Sequence, residues 1–506
     1  MWSTARLSEE IVGTQEQGTR TPWEPLRSSF AHWNCVSRAS AMWWTRNEGV
    51  AAIDNARATR FRAMVEYARD HSRFYAEAYR NLPRQISVPQ EVPVVGKRTL
   101  MAHFDDWVTD EAVTQAGVDA FMRDKHAVGD RYLDRYIIWK SSGTTGEPGV
   151  YVQDAEALST YDALIAVQLG AATLPSHYAW GAMANGGRAA LIAATDDHYA
   201  SIASWQRAAQ DSPWMESRGF SVMQALERLV GDLNAYQPAF LASYPTTLAL
   251  LATEQAAGRL MIHPAALWSG GEYLADATRA EIENIFACPV SNEYGASECM
   301  SIASGCREGW LHVNADWVLL EPVDRDYRPT PPGQLSHTVL LTNLANRVQP
   351  IIRYDLGDSV VAKPGRCACG SPLPALRVVG RCDDMVALRA ENGSIVRLLP
   401  IALSTVVEEA AKVHRFQIVQ RAPDRLALRL GDDCAHDRRG AWRTAAAALK
   451  GYLASQSLPN VRVALDKRPP VSDARSGKLR QVVVDDDPRL PPPRAPRRGD
   501  AHRTSR

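Results

Sequence analysis

Hydrophobic and polar positions fall in blocks along this chain, and the period changes from block to block. Over residues 51–80, Phe61, Met64, Val65 and Ala68 recur at helical spacing, which predicts an amphipathic helix. ISVPQEVPVVGKRTL follows as an extended stretch running into a helix start. From about 131 to 320 two textures alternate. YLDRYIIWK, RAALIAA, PAFLASYP and AALWSGGE read as strands, and AEALSTYDALIAVQLGAATL, MQALERLVGDL, TTLALLATEQAAG and ATRAEIENIFA as helices. That alternation predicts an α/β protein with mainly parallel sheets covered by helices. Residues 333–380 are more β-rich, through LSHTVLLTNL and DSVVAKPG. After GRCDD at 380–384 the texture changes again, to a small α+β domain ending near Val484.

The expected organisation is therefore a Trp-rich arm without clean period at 1–45, a large N-terminal domain at 46–381 with a β-rich subdomain, a small C-terminal domain at 382–485, and a tail at 486–506. A chain of 506 residues needs at least two domains. Apolar residues at 45% and charged residues at 23% exclude global disorder. The longest apolar candidate, Ala163–Pro175, is broken by Gln168 and Gly170 and is too short to span a bilayer, so no membrane association is expected. MWSTARLSEE lacks the apolar core of a secretory signal, and a cytoplasmic location is the expectation.

The 57 basic and 57 acidic residues balance, but residues 488–506 alone hold six Arg and one Asp. Without them the body carries 51 basic against 56 acidic residues, about −5, a poor surface for nucleic acid. The Pro- and Arg-rich tail reads as a solvated, disordered extension.

Chemistry concentrates in five segments. Ser141, Ser142, Gly143, Thr144, Thr145 and Gly146, followed by Glu147-Pro148-Gly149, form a loop of small residues and hydroxyls after a predicted strand. Such a loop lets backbone N–H groups approach a polyphosphate, although it lacks the lysine of the common nucleotide loop. Alone it reads equally well as a Ser/Gly-rich surface turn. Further on come Asn292-Glu293-Tyr294-Gly295-Ala296-Ser297-Glu298, Arg353-Tyr354-Asp355-Leu356-Gly357-Asp358, Gly380-Arg381-Cys382-Asp383-Asp384 and Ser476-Gly477-Lys478-Leu479-Arg480.

In this order and at these separations the five segments resemble the adenylate-forming superfamily of acyl-CoA synthetases, peptide-synthetase adenylation domains and luciferases. The finer resemblance, over about 60–484, is to the phenylacetate–CoA ligase branch and its deazaflavin-coenzyme adenylylating relatives. It rests on VPVVGKRTLMAHFDDWVTD, on the lysine-free SSGTTGEPG, and on the Cys-x-Cys-Gly insert before Gly380-Arg381.

The resemblance implies attack of a small, aromatic carboxylate on the α-phosphate of ATP, then transfer of the acyl group to coenzyme A. Lys478 is implied to bridge the two anions; a charge pair ~4 Å apart is worth about 4 kcal/mol at an effective dielectric of 20. Glu298 is the implied magnesium ligand, Tyr294 stacks on adenine, Ser297 reaches the α-phosphate, and Asp358 accepts the ribose hydroxyls. Arg381 lies near ribose or phosphate, and Gly271 and Glu272 resemble the adenine-side loop. Asp383 resembles the hinge about which the small domain moves between half-reactions. The implied acyl pocket draws on His198, Tyr199, Ser243, Tyr244, Pro245 and Gly270, with a merely packed His198 as the plainer reading. Gly149 replaces the usual basic residue at the end of the loop.

Cys306, His312, Cys367 and Cys369 offer three thiolates and one imidazole, a closed set suited to structural zinc. Spacing alone is weak support, but some members of the branch carry zinc at these two places. Cys299 is a rival ligand, more readily read as part of the active-site wall. Alternatives concern the acceptor, which could be an amine or a carrier-protein thiol, or the transferred group, which could be AMP to a deazaflavin-type coenzyme. A catalytically silent nucleotide-binding protein is the remaining alternative, and retention of Lys478, Glu298 and Asp358 together argues against it.

Overall fold

The computed structural model describes residues 24–86, 88–141, 148–172, 187–211, 216–379, 386–413, 415–431, 437–471 and 480–484, with side chains throughout except at 24–33, 169–172 and 401. Its centre is a nine-stranded sheet. One half is parallel, built from the strands Ser217–Ser221, Ala189–Ala193, Phe240–Ser243, Ala266–Gly270 and Val290–Ala296 in that spatial order. Helices Ala200–Asp211, Leu226–Tyr236, Pro245–Ala256 and Asp276–Phe286 make the crossovers. Ala189–Ala193 is buried along its whole length, as a strand covered on both faces must be.

The strand order reverses beside Ala189–Ala193. The chain first steps outward to Ser217–Ser221, then crosses back to Phe240–Ser243. In open sheets of this kind the crevice at the carboxyl ends beside such a reversal is where ligands bind. Ser243, Gly270 and Tyr294 lie at or near those carboxyl ends.

Beyond Ala296 the same sheet continues antiparallel through Cys299–Gly305, Leu311–Val313, Ala375–Val378 and Val360–Ala362. The expectation of mainly parallel pairing therefore holds for half of it. The switch has a local cause: Ala296 pairs directly with Cys299, so Ser297 and Glu298 form a tight turn where a crossover helix would be needed to keep the next strand parallel. The β-rich stretch forms a three-stranded antiparallel sheet of Val318–Val323, Thr338–Asn343 and Ile351–Asp355.

Towards the C-terminus a hairpin, Val386–Arg389 and Ile395–Leu398, leads to helix Pro400–Ala411. A four-stranded mixed sheet follows, Arg462–Asp466, Arg425–Leu430, Phe416–Ala422 and Val482–Val484, with helix Arg438–Ser455 packed on it. This α+β unit has its own core, including Phe416, Ile418, Leu428, Leu449 and Val482. It meets the large unit where Leu399, Ala402 and Tyr452 join the core of the parallel half, and where Gln456 Nε2 donates to Met223 O at 3.1 Å. The expected break at 381–384 and the tail at 486–506 lie outside the described residues.

Two N-terminal expectations are corrected. The supposed arm is helical over Glu24–Glu48, docked by Met42 in the core and by an ion pair from Arg46 to the buried Asp316 at 2.8 Å. Cys35, Ala39 and Met42, spaced i, i+4 and i+7, turn one side of it to the core. The helix expected over 51–80 ends at His71. Ser72 is extended there, and its Oγ accepts from Tyr75 N to start the short helix Arg73–Ala78. No described helix is long and apolar enough to cross a membrane.

Candidate active site

Strands Ile137–Lys140 and Val150–Gln153 pair antiparallel and hold the Ser/Thr-rich loop at its base. Ser141 N donates to Gly149 O and Gly149 N to Ser141 Oγ, each at 2.8 Å. Lys97 Nζ donates to Ser141 Oγ at 3.2 Å, setting a cation at the foot of the loop. Sequence reasoning had singled out the stretch VPVVGKRTL without assigning Lys97 a role. Ser142, Gly143, Thr144, Thr145 and Gly146 lie outside the described residues.

Both loop-flanking strands reach the turn at 297–298. Trp139 Nε1 donates to Ser297 O at 2.8 Å. Glu298 is buried, and its Oε1 accepts from Tyr151 OH at 2.5 Å and from Tyr354 OH at 2.8 Å. Burial, with the Glu298 charge next, pushes both phenols well above their ordinary range, so they remain donors. Glu298 is thus a fixed carboxylate beside the loop, a group of the hardness a magnesium ion takes.

Gly149 owes its identity to the same cluster: a Cβ there would lie 2.4 Å from Tyr151 OH. A lysine in its place could not coexist with Tyr151 as it stands.

Tyr294 OH donates to Asp358 Oδ2 at 2.7 Å, joining the second segment to the third. Burial and then Asp358 raise the Tyr294 phenol. VPVV closes the set: Val95 bonds both Arg353 O and the Asp355 N–H. Gly271 has φ +80°, and Tyr244 Cδ1 lies 3.1 Å from where its Cβ would be, so glycine is required on two counts. Glu272 Oε2 accepts from Thr246 N and Thr246 Oγ1, capping the helix that begins at Pro245.

The expected pocket residues divide. Tyr199 and Tyr244 are partly exposed between the two large cores. Lys140 lies 5.2 Å from the Tyr199 ring and pairs with Asp197 at 2.5 Å. Burial raises Asp197, but Lys140 outweighs it and holds the carboxyl below its usual range. His198 and Ser243 are buried, as the plainer reading of His198 has it. His198 has no exposure and its Nε2 meets Asp124 O at 2.9 Å; Ser243 Oγ donates to Ile192 O. Lys478, Arg381 and Asp383 lie outside the described residues.

No family profile matches the chain. A Staphylococcus aureus protein named CapK is 26% identical over 217 residues, 40% of this chain and 44% of its own. The phenylacetate-coenzyme A ligase of Thermus thermophilus is 25% identical over 282 residues, 51% of this chain and 62% of its own. The chain thus spans about half the length of these curated relatives. Among solved structures, 2-hydroxyisobutyryl-CoA ligase in complex with 2-HIB-AMP and CoA superposes with TM-score 0.53 at 22% identity, covering 87% of this chain and 91% of that one. The chain has the fold of that 2-hydroxyisobutyryl-CoA ligase. In that fold, the described ends of the Ser141–Gly149 loop and the segments 292–298 and 353–358 are joined through Trp139, Tyr151, Glu298, Tyr354 and the Tyr294–Asp358 bond.

A second cluster of chemistry-bearing side chains gathers around three cysteines. Cys306, His312, Cys367 and Cys369 offer ligand atoms all within 4.8 Å of one another. Cys306 Sγ and Cys367 Sγ are 3.8 Å apart, the separation of two thiolates on one tetrahedral zinc. His312 Nδ1 bonds Leu373 O at 3.0 Å, which turns Nε2 towards Cys369 Sγ at 3.1 Å. Burial lowers the His312 pKa, favouring the neutral imidazole a metal needs. Cys299 is outside this group, fully buried, its thiol pushed up to about 12 by burial.

Proposed function

We propose that the protein activates a small carboxylic acid with ATP, forming an acyl-adenylate and pyrophosphate, and passes the acyl group to coenzyme A. The observation that supports this reading is that the strands flanking the Ser141–Gly149 loop bond the turn at Ser297 and Glu298, on whose strand Tyr294 holds Asp358. A loop of small residues able to approach a polyphosphate, a buried carboxylate beside its base and a second carboxylate held by Tyr294 suit nucleotide activation.

In this reading a carboxylate oxygen of the acid attacks the α-phosphorus, and the bond to the pyrophosphate oxygen breaks. The thiol of coenzyme A then attacks the acyl carbon, and AMP leaves with the oxygen it gained. Lys478 neutralises the two anions in the first step; losing such a preorganised charge costs on the order of 10²–10³ in rate. Asp383 is the hinge that carries Lys478 towards and away from the crevice, and Arg381 contacts the nucleotide. Glu298 would hold magnesium, which supplies positive charge for the phosphates when bound. The Cys306–His312–Cys367–Cys369 set would hold zinc in a structural role, since four protein ligands complete a tetrahedron. The acid lies against the Tyr244 and Gly270 end of the strands, and the aromatic lining there favours a flat acid.

The reading is tested by acid-dependent exchange of pyrophosphate into ATP over a panel of aryl, arylacetyl and short aliphatic acids, with coenzyme A then added. AMP released together with an acyl-CoA is the expected result. Exchange without thioester formation would move the acceptor to an amine or carrier protein. No exchange with any acid would remove the ligase reading.

A further inference from the structure

Across the small C-terminal sheet, Gln417, Arg429 and Asp466 stand in one row. Gln417 pairs in register with Arg429, and Arg429 with Asp466. Gln417 and Arg429 are buried. Arg429 Nε donates to Asp466 Oδ2 at 3.0 Å, and its Nη1 donates to Gln417 Oε1 at 2.6 Å. Arg421 and Arg468 also donate to Asp466 Oδ2, at 2.9 and 2.8 Å. These bonds, that of Arg468 foremost, hold the Asp466 carboxyl well below its usual range, so it stays charged beside three guanidinium groups.

The row ends on the backbone. Gln417 Nε2 donates to Val471 O at 3.1 Å and to Arg480 O at 2.9 Å, and Val471 N donates back to Gln417 Oε1 at 3.4 Å. With the bond from Arg429, both donors and both acceptor positions of the amide are used. Its orientation is fixed, because a guanidinium only donates and a carbonyl only accepts. Val471 and Arg480 bracket the stretch 472–479, which contains Lys478 and lies outside the described residues. Lys478 is two residues from Arg480, so chain geometry alone keeps its Cα within about 7 Å of the Arg480 Cα.

Stability does not call for such a row, because apolar residues of similar volume often serve as well as a buried ion pair. The neighbouring register pairs, Phe416 with Leu430 and Ile418 with Leu428, are apolar. What the row supplies is direction, since a fully bonded buried amide holds its partners in one arrangement.

We propose that Gln417 is a positioning residue for Lys478: braced by Arg429 and Asp466, it ties the backbone at Val471 to that at Arg480 and so fixes where the lysine-bearing stretch leaves and rejoins the small unit. This rests on the ligase reading for the task of Lys478 and deepens it. Lys478 serves acyl-adenylate formation, so loss of the Gln417 amide should act on that step and spare the attack of coenzyme A.

The test uses the full chain. Gln417→Glu keeps an acceptor for Arg429 and removes both donors to the carbonyls. Gln417→Met removes the amide altogether and serves if the glutamate variant does not fold. Leu449→Ala, in the core of the same unit, is the reference for general loosening. Phenylacetate, or whichever acid of the panel exchanges pyrophosphate fastest, gives kcat and KM, and its synthetic adenylate with coenzyme A gives the second half-reaction. Amide hydrogen–deuterium exchange is followed in peptides covering 471–481 and 438–455. Either Gln417 variant is expected to lower kcat for pyrophosphate exchange by at least about 10-fold, since misplacing a group by about 1 Å costs up to about 100-fold. KM for ATP and the rate of coenzyme A attack should change by less than about 3-fold. Amide exchange should quicken in 471–481 and not in 438–455. Leu449→Ala should quicken both peptides and leave the ratio of the two half-reactions unchanged. Equal loss of both half-reactions in the Gln417 variants, or amide exchange in 471–481 equal to that of wild type, overturns the proposal. If no acid supports pyrophosphate exchange in wild type, the ligase reading fails, and amide exchange alone decides whether Gln417 anchors the segment.

Discussion

At Gly149 the missing side chain is dictated by a neighbour, because Tyr151 OH occupies the place of a Cβ. Gly149→Ala should therefore destabilise the protein by about 1–3 kcal/mol in urea unfolding, the cost of overpacking, and weaken ATP-dependent exchange through Tyr151 and Glu298. Unchanged stability would show that the Tyr151 contact is not as described. Glu293 carries a pH signature. Its carboxyl is raised by burial to about 8 in the folded state from an ordinary value near 4.5, so the folded chain keeps a proton that the unfolded chain has lost. Its stability contribution is complete at acid pH and declines as pH rises from about 4.5 to about 8, by at most about 1.4 kcal/mol per unit. Glu293→Gln should remove this slope, so the variant's advantage in urea unfolding grows across that interval and then levels; parallel pH profiles would refute it. Glu298, Tyr294 and Asp358 stand out in the sequence because each sits in a motif with fixed neighbours, and the fold links Glu298 to Tyr354 and Tyr294 to Asp358. Gln417 and Lys97 do not, because their importance lies in a register partner and a loop base that sequence spacing does not reveal.

Among the elements, Ala189–Ala193, Phe240–Ser243 and Ala266–Gly270 of the parallel half were readable as short apolar runs, whereas Ser217–Ser221, with the sequence SRGFS, carries too little apolar character to be read as a strand. The antiparallel half was not, because the decisive feature is the two-residue turn at Ser297 and Glu298, which also carries chemistry. The Glu24–Glu48 helix was hidden for another reason: apolar residues such as Trp43 and Trp44 also occupy its exposed side, which masks the Cys35, Ala39 and Met42 stripe, and Arg46 meets the distant Asp316. The Cys/His cluster spans two distant stretches, and only the pairing of Leu311–Val313 with Ala375–Val378 brings them together. Purified protein should contain about one zinc per chain, and Cys367→Ser should lose it with a lower melting temperature while Cys299→Ser keeps it. Metal-free protein of unchanged stability would contradict the site.

For the whole molecule, the proposed reading puts the nucleotide at the large sheet and Lys478 with the C-terminal α+β unit. The two half-reactions should therefore separate. Lys478→Ala should lower acyl-adenylate formation by about 10²-fold or more while leaving coenzyme A attack on supplied acyl-adenylate largely intact. Equal loss of both would remove its assigned role. The fold class was legible because the element order is specific to few architectures, whereas the identity of the acid depends on side chains converging from several strands.

The central claim is that a carboxylate oxygen becomes an oxygen of AMP. The direct measurement is turnover of an acid labelled with ¹⁸O in its carboxyl group, using the acid most active in exchange, with mass analysis of both phosphorus products. One ¹⁸O in each AMP and none in pyrophosphate is the predicted result. Label in inorganic phosphate with ADP as the nucleotide product, or AMP without label, would contradict the account.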